Sequence, residues 1–211
     1  MKEVLTQAQN WRYATKKYDP LRKISQDDLD TLMESVRMSV SSMGLQPYRV
    51  LVISDRELRL KLRAAAFDQD AVSESSYLFV FAASREESTN QIDQYLRNIS
   101  ATREISLESL GGFKQMMHKF VDGLSEENRM AWAEKQCYIA MANLIGTASL
   151  LKIDATPMEG FDAGKFDEIL KLEDQGLQTV VIAAVGYRHR QDKAQHYKKV
   201  RKSKEELFIH L

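Results

Sequence analysis

The chain of 211 residues has a single cysteine, Cys137. That excludes an intramolecular disulfide framework and a cysteine-based zinc cluster, and it fits a reducing cytoplasm. Prolines number 3 and glycines 9, against a hydrophobic share of 44%. Such a composition buries a substantial core and does not favour disorder. One domain over residues 1–211 is expected. Net charge is also lacking, because 30 Lys and Arg balance 30 Asp and Glu. No global field then steers the chain to nucleic acid or to an anionic membrane, and any anion must be held locally. Long apolar runs are missing too: the opening MKEVLTQAQNWR lacks the uninterrupted apolar stretch of a signal peptide, and nothing approaches the ~18 apolar residues of a spanning helix. A cytoplasmic location is expected, with no membrane or nucleic-acid partner.

Nucleotide and catalytic signatures are missing as well. No G-x-G-x-x-G follows a strand and no G-x-x-x-x-G-K-[ST] occurs, so neither a Rossmann dinucleotide site nor a P-loop is supported. A nicotinamide nucleotide would be a visitor and not a resident. His118, His189, His196 and His210 lack the spacing of a ligand set, and no metal is expected. There is no nucleophile elbow.

What is present is a helix-rich chain with a few strands. Ser25 suits an N-cap, and Leu29, Leu32, Met33 and Val36 recur on one helical face to about Ser39. Residues 48–53 read as a strand, Asp55 caps a charged helix to about Ala66, and residues 77–83 read as a buried strand. Residues 88–121 are weakly amphipathic, with a break at Gly111-Gly112, and suggest a helical excursion over about 88–124. The stretch from Trp132 to Leu151 is apolar or small on almost every face, as in a buried helix. Its Ala140, Ala142, Gly146 and Ala148 would admit a second helix, either from within the subunit or from a partner, with a partner expected. A turn over 154–161, a short helix to about Leu172, a strand over 177–185 and a basic extended tail complete the chain. The pattern predicts an α+β fold.

Three polar segments carry candidate chemistry. Arg12-Tyr13-Ala14-Thr15-Lys16-Lys17-Tyr18-Asp19 sets cations among aromatics; a solvated helix end accounts for it equally well. Ser41-Ser42-Met43-Gly44-Leu45-Gln46-Pro47-Tyr48 is a hydroxyl-rich loop in which Gly44 can supply unusual backbone angles, as in a plain turn. In Thr156-Pro157-Met158-Glu159-Gly160-Phe161-Asp162, Pro157 stiffens the backbone and Gly160 permits positive φ. Backbone amides would then face a flat ligand, and Asp162 would cap the next helix. A structural turn explains the Pro, Gly and Asp but leaves Met158-Glu159 without a reason.

In this order, these segments resemble the FMN-dependent nitroreductase family. The strand over 77–83, the V-G-Y closing the last strand and Lys199-Val200-Arg201 belong to the same match, which runs from Arg12 to about Phe208. The resemblance implies a nitroreductase-like α+β fold, with a central, mostly antiparallel sheet surrounded by helices. It also implies an intertwined homodimer with FMN in two interface clefts. Arg12, Tyr13, Ala14 and Lys16 would lie along FMN, with Lys199 and Arg201 at its phosphate. Ser41 and Ser42 would reach the FMN of the other subunit, Asp68 and Gln69 would lie beside the flavin, and Pro157, Met158, Glu159 and Gly160 would lie against the isoalloxazine.

No side chain is expected to be catalytic in its own right. Flavin N5 would carry the hydride, and Glu159 and Gly160 would position or tune it. The implied reaction moves two electrons from NADH or NADPH, a transient co-substrate, to nitroaromatics, quinones or similar small electrophiles in a ping-pong cycle. The alternatives are a same-fold enzyme acting on a pteridine, an enone or oxygen, and an FMN-binding module without turnover. Three departures stand out: Ala14 where many relatives have Ser, Val40 in place of a Pro, and Asp68 where an Asn usually donates. An ionised Asp cannot donate, and Gln69 is expected to take over that contact. Phe113, Met116, Met117 and Phe120 are expected to line the acceptor pocket.

Overall fold

The computed structural model describes residues 1–85 and 88–211. Its centre is an antiparallel sheet of β1 (Tyr48–Ile53), β2 (Tyr77–Ser84), β3 (Asp154–Met158) and β4 (Leu177–Gly186), in the order β1-β2-β4-β3. The α+β expectation is met. Both faces of the two middle strands are covered, which is why they read as unbroken apolar runs. Side chains alternate along a strand. Phe79, Phe81 and Ala83 therefore face one core with Val181, Ala183 and Val185, while Leu78 and Val80 face the other with Ile182 and Ala184. A register shift at Phe81/Ala82 skips Val180 of β4.

The first core is closed by α2 (Gln26–Arg37) and α7 (Glu126–Leu150). The second is closed by α3 (Arg56–Ala65), α4 (Asp70–Glu74) and α8 (Ala163–Leu170). Ser25, Asp55, Ser125 and Asp162 each accept the backbone N–H three residues on, starting α2, α3, α7 and α8. Over the stretch expected to form an excursion lie α5 (Ser88–Arg103) and α6 (Gly111–Val121). They share a third core with Met43 and Leu45. Met117 and Phe113 belong to that core, so of the expected pocket residues only Met116 and Phe120 stay exposed.

Two local expectations need correction. Residues 154–158 form strand β3 and not a turn. Pro157 disguised it, but β3 is an edge strand, where a missing N–H is tolerated. The small residues of α7 also do not share one face. Ala140 and Ala148 are buried in the subunit's own core, whereas Tyr138, Ile139, Ala142, Asn143 and Leu150 are exposed on the outer side. Alternation of inner and outer faces along 25 residues explains why α7 looked apolar all round. Cys137 lies on the inner side, where burial and then the Glu134 carboxylate push its thiol up to about 12. The protonated thiol is inert. Among the described residues no helix is long and apolar enough to cross a membrane.

Candidate functional site

The first group of site residues gathers where α1 (Lys2–Trp11) ends. Arg12 leaves the helix in extended conformation, and the next residues run beside 187–189: Asp19 N–H donates to the Tyr187 carbonyl and His189 N–H to that of Lys17. Below them Asp154, only 2% exposed, accepts from the Arg188 amide and guanidinium and from the Thr15 hydroxyl at 3.1 Å. The Arg188 guanidinium also lies 4.1 Å from the Trp11 ring centre and 4.5 Å from that of Tyr13.

From this base the tail turns back to α1, where the Lys199 ammonium donates to the Gln9 carbonyl. Burial, and then the neighbouring Arg12 and Arg201 cations, hold Lys199 below the usual lysine range. The Gln9 side chain also accepts from Arg12 at 3.4 Å, so cations from both ends of the chain meet at Gln9, where an anion would relieve their mutual repulsion. A phosphate, carrying close to two charges and several acceptor oxygens, fits that donor set. Ala14 and Lys16 are exposed on the same segment.

A second group is the serine loop. The Gln136 side chain, 5% exposed on α7, accepts the Ser42 N–H at 2.9 Å and the Ser41 hydroxyl at 3.5 Å. Ser41 in turn accepts the Gln46 N–H. Met43, Gly44 and Gln46 all have positive φ, so the loop is wound tightly. At Gly44 a Cβ would fall 2.1 Å from the Tyr95 hydroxyl, which admits no other residue without movement. The expected role of Gly44 is met in its backbone angles.

The third group surrounds the end of β3. Gly160 permits positive φ but does not adopt it; the left-handed residues here are Phe67 and Asp68, in succession. The amide of Gln69 donates to the carbonyls of Gly160, at 2.7 Å, and Ala66, at 3.1 Å. Both amide hydrogens are thereby engaged, so Gln69 offers a neighbour its carbonyl oxygen and not the donor expected of it. The Asp162 N–H donates to the Ala65 carbonyl, which ties the turn to α3. Met158 is buried, whereas Pro157, Glu159, Gly160 and Asp68 are exposed.

Glu159 is held from α7, because the Tyr138 hydroxyl donates to its carboxylate at 2.7 Å. Burial, and then Glu159, push the Tyr138 phenol up to about 12, so it remains a donor at neutral pH. Tyr138→Phe frees the carboxylate from its exposed partner. Because both partners are exposed, the expected loss in the free energy of unfolding is below about 1 kcal/mol by urea titration, and a loss above about 2 kcal/mol would show that the bond is shielded from water.

The protomer therefore brings Arg12, Lys199 and Arg201 together, and separately Gln69, Glu159 and Gly160. Among the described residues no hydrogen bond given by the structure joins the Ser41–Ser42 loop to either group. Sequence reasoning missed the residues that hold these groups in place: Asp154, Arg188, Gln136, Tyr138 and Asp192. Two left a signal. Gln136 interrupts an apolar helix, and Asp192 is the sole acid between Gly186 and Lys204.

The nitroreductase family model matches residues 10–187, and the chain belongs to that family of oxidoreductases. A Staphylococcus saprophyticus protein named "Putative NAD(P)H nitroreductase" is 33% identical, over 98% of this chain and 96% of its own length. Among solved structures, a Bacillus subtilis protein described as a nitroreductase superposes with TM-score 0.89 at 20% identity, over the full length of both chains. An Exiguobacterium sibiricum protein, described as a nitroreductase in complex with FMN, superposes with TM-score 0.82 at 18% identity, over 98% of this chain and 97% of that one.

Proposed function

We propose that the chain is an FMN-dependent NAD(P)H oxidoreductase that works as a homodimer and reduces nitroaromatics, quinones or similar small electrophiles. The observation that carries this reading is the meeting of both ends of the chain at Gln9, whose carbonyl accepts from Lys199 and whose side chain accepts from Arg12, an anion site built from opposite ends of a neutral chain. The nicotinamide nucleotide named for the Staphylococcus saprophyticus relative and the FMN of the Exiguobacterium protein support it. Bound FMN would supply hydride uptake at N5 and two-electron delivery to an acceptor.

This chain's residues would do the binding and orienting. Lys199, Arg201 and Arg12 would hold the phosphate, with Lys16 and Tyr13 further along the cofactor. The turn Pro157–Gly160 would present its backbone to the ring, with Glu159 fixed by Tyr138. Asp68 and the Gln69 carbonyl would present acceptors at its edge. Ser41 and Ser42 would serve the site of the partner subunit. Two features support a partner: the exposed apolar side of α7, with Val4 and Leu5 of α1, and the exposed Phe208, Ile209 and Leu211 at the end of the tail. A groove of about 230 Å³ runs between α1 and α7 beside Gln9 and Asn143.

Purified protein should be yellow and dimeric by light scattering. Anaerobic NADH or NADPH should bleach it within seconds, and a quinone or nitroaromatic should restore the colour. Initial rates at several acceptor concentrations should give parallel double-reciprocal lines if the nucleotide leaves before the acceptor enters. Colourless protein that takes up no FMN would overturn the proposal, and colour that persists under NADH and NADPH would leave only a flavin-binding module.

A further inference from the structure

Asp192 is an acid in a basic tail, and it is 3% exposed. Its burial needs a reason, since a carboxylate taken out of water costs free energy unless its oxygens are satisfied. Oδ2 accepts the Lys16 N–H at 2.8 Å, the Lys17 N–H at 3.2 Å and the Tyr13 hydroxyl at 3.0 Å. Oδ1 accepts the Ala194 N–H at 3.0 Å and so starts the turn Lys193–His196. Burial alone would push the Asp192 carboxyl up, but the Lys16, Lys17 and Ala194 amides and the Tyr13 hydroxyl hold it below the ordinary carboxylate range.

The carboxylate therefore stands where two cationic segments part. On one side it grips the backbone of residues 16–17, four residues beyond Arg12. On the other it sets the turn through which the tail comes back to place Lys199 against the Gln9 carbonyl. A surface charge pair would be worth little here, but donors fixed by a buried acceptor lose their freedom before the ligand arrives. We propose that Asp192 is a positioning residue that registers the Arg12–Lys16 segment against Lys199 and Arg201, and thereby sets the preference for a phosphorylated flavin over an unphosphorylated one. The inference rests on the FMN reading above and adds the residue that shapes its phosphate end.

The test compares FMN with riboflavin, which share the ring and ribityl chain and differ in the phosphate. Affinities are measured by quenching of flavin fluorescence on the full-length apoprotein at fixed ionic strength. In Asp192→Ala, FMN binding should weaken by about ten- to fiftyfold, from loss of preorganisation at a charged contact. Riboflavin, which shares with FMN only the part served by Tyr13 and Lys16, should weaken less, by no more than about threefold, so that the FMN-to-riboflavin ratio falls. A merely structural role would weaken both flavins alike, and that result overturns the inference, as does an unchanged ratio.

Asp192→Asn keeps the volume and protects against a variant that fails to fold. Its carboxamide has one acceptor oxygen, so the FMN-to-riboflavin ratio should still fall at least about threefold. An Asn variant with the wild-type ratio overturns the inference on its own. Inorganic phosphate should compete with FMN for the wild type more effectively than for either variant, and equal competition counts against the proposal. If the wild type itself does not prefer FMN to riboflavin, the FMN reading fails, and this inference with it.

Discussion

Asp154→Ala is expected to lower the free energy of unfolding by about 3–5 kcal/mol, because it leaves the Arg188 guanidinium without its counter-charge in a buried setting. Asp154 is 2% exposed and the Arg188 side chain 19%. The acid satisfies the Arg188 amide, the guanidinium and the Thr15 hydroxyl at once. Three parts of the chain depend on it: the exit of α1 through Trp11 and Tyr13, the start of β3, and the residues after β4. Urea unfolding at fixed protein concentration without added ligand measures the loss, since any self-association or binding would shift apparent stability. A loss below about 1 kcal/mol would reduce the pair to the value of a surface bridge.

The second large effect concerns the cofactor. Lys199→Ala with Arg201→Ala should raise the dissociation constant for FMN by about 30- to 300-fold, from two charge-assisted contacts discounted for their exposure. Lys202→Ala with Lys204→Ala should change it by no more than about threefold, as for solvated charges. Both pairs lower the net charge by the same amount, so a general field would weaken binding equally in the two variants. Equal effects would therefore sink the assignment of Lys199 and Arg201 as phosphate ligands. Difference spectra of the flavin on titration into apoprotein give the constants directly.

Much of the fold was legible in the sequence because local signals and tertiary demands agreed. The strands at 48–53 and near 77–83, the caps at Ser25, Asp55 and Asp162, and the long helix after Ser125 all follow from patterning and side-chain hydrogen bonding over a few residues. The strand β3 was hidden, because Pro157 argues against a strand until its place at a sheet edge is known. Gly160 shows a related limit. A glycine permits positive φ but does not require it, and here Phe67 and Asp68 adopt the left-handed conformation instead.

The candidate ligands were legible, and the residues that hold them were not. Arg12, Lys16, Lys199 and Arg201 carry charge that a family match can align. The meeting of Arg12 with Lys199 and Arg201 spans nearly the whole chain, so no window of sequence displays it. Gln69 is the clearest case of a role altered by surroundings. Its amide was expected to serve the flavin, but the Gly160 and Ala66 carbonyls already accept both of its hydrogens.

By itself the sequence determined the class of fold, the membership of the nitroreductase family and the set of cationic and turn residues that are candidates for its site. Those rest on composition, short-range periodicity and ordered motifs, all of them properties of neighbours along the chain. Only the tertiary structure decided which residues hold that set: Asp154 under Arg188, Asp192 beneath Lys16 and Lys17, Gln136 behind the serines and Tyr138 on Glu159. The physical reason is that a polar group taken out of water is defined by the donors and acceptors that satisfy it, and for Asp154, Gln136 and Asp192 those partners lie 34 to 176 residues away.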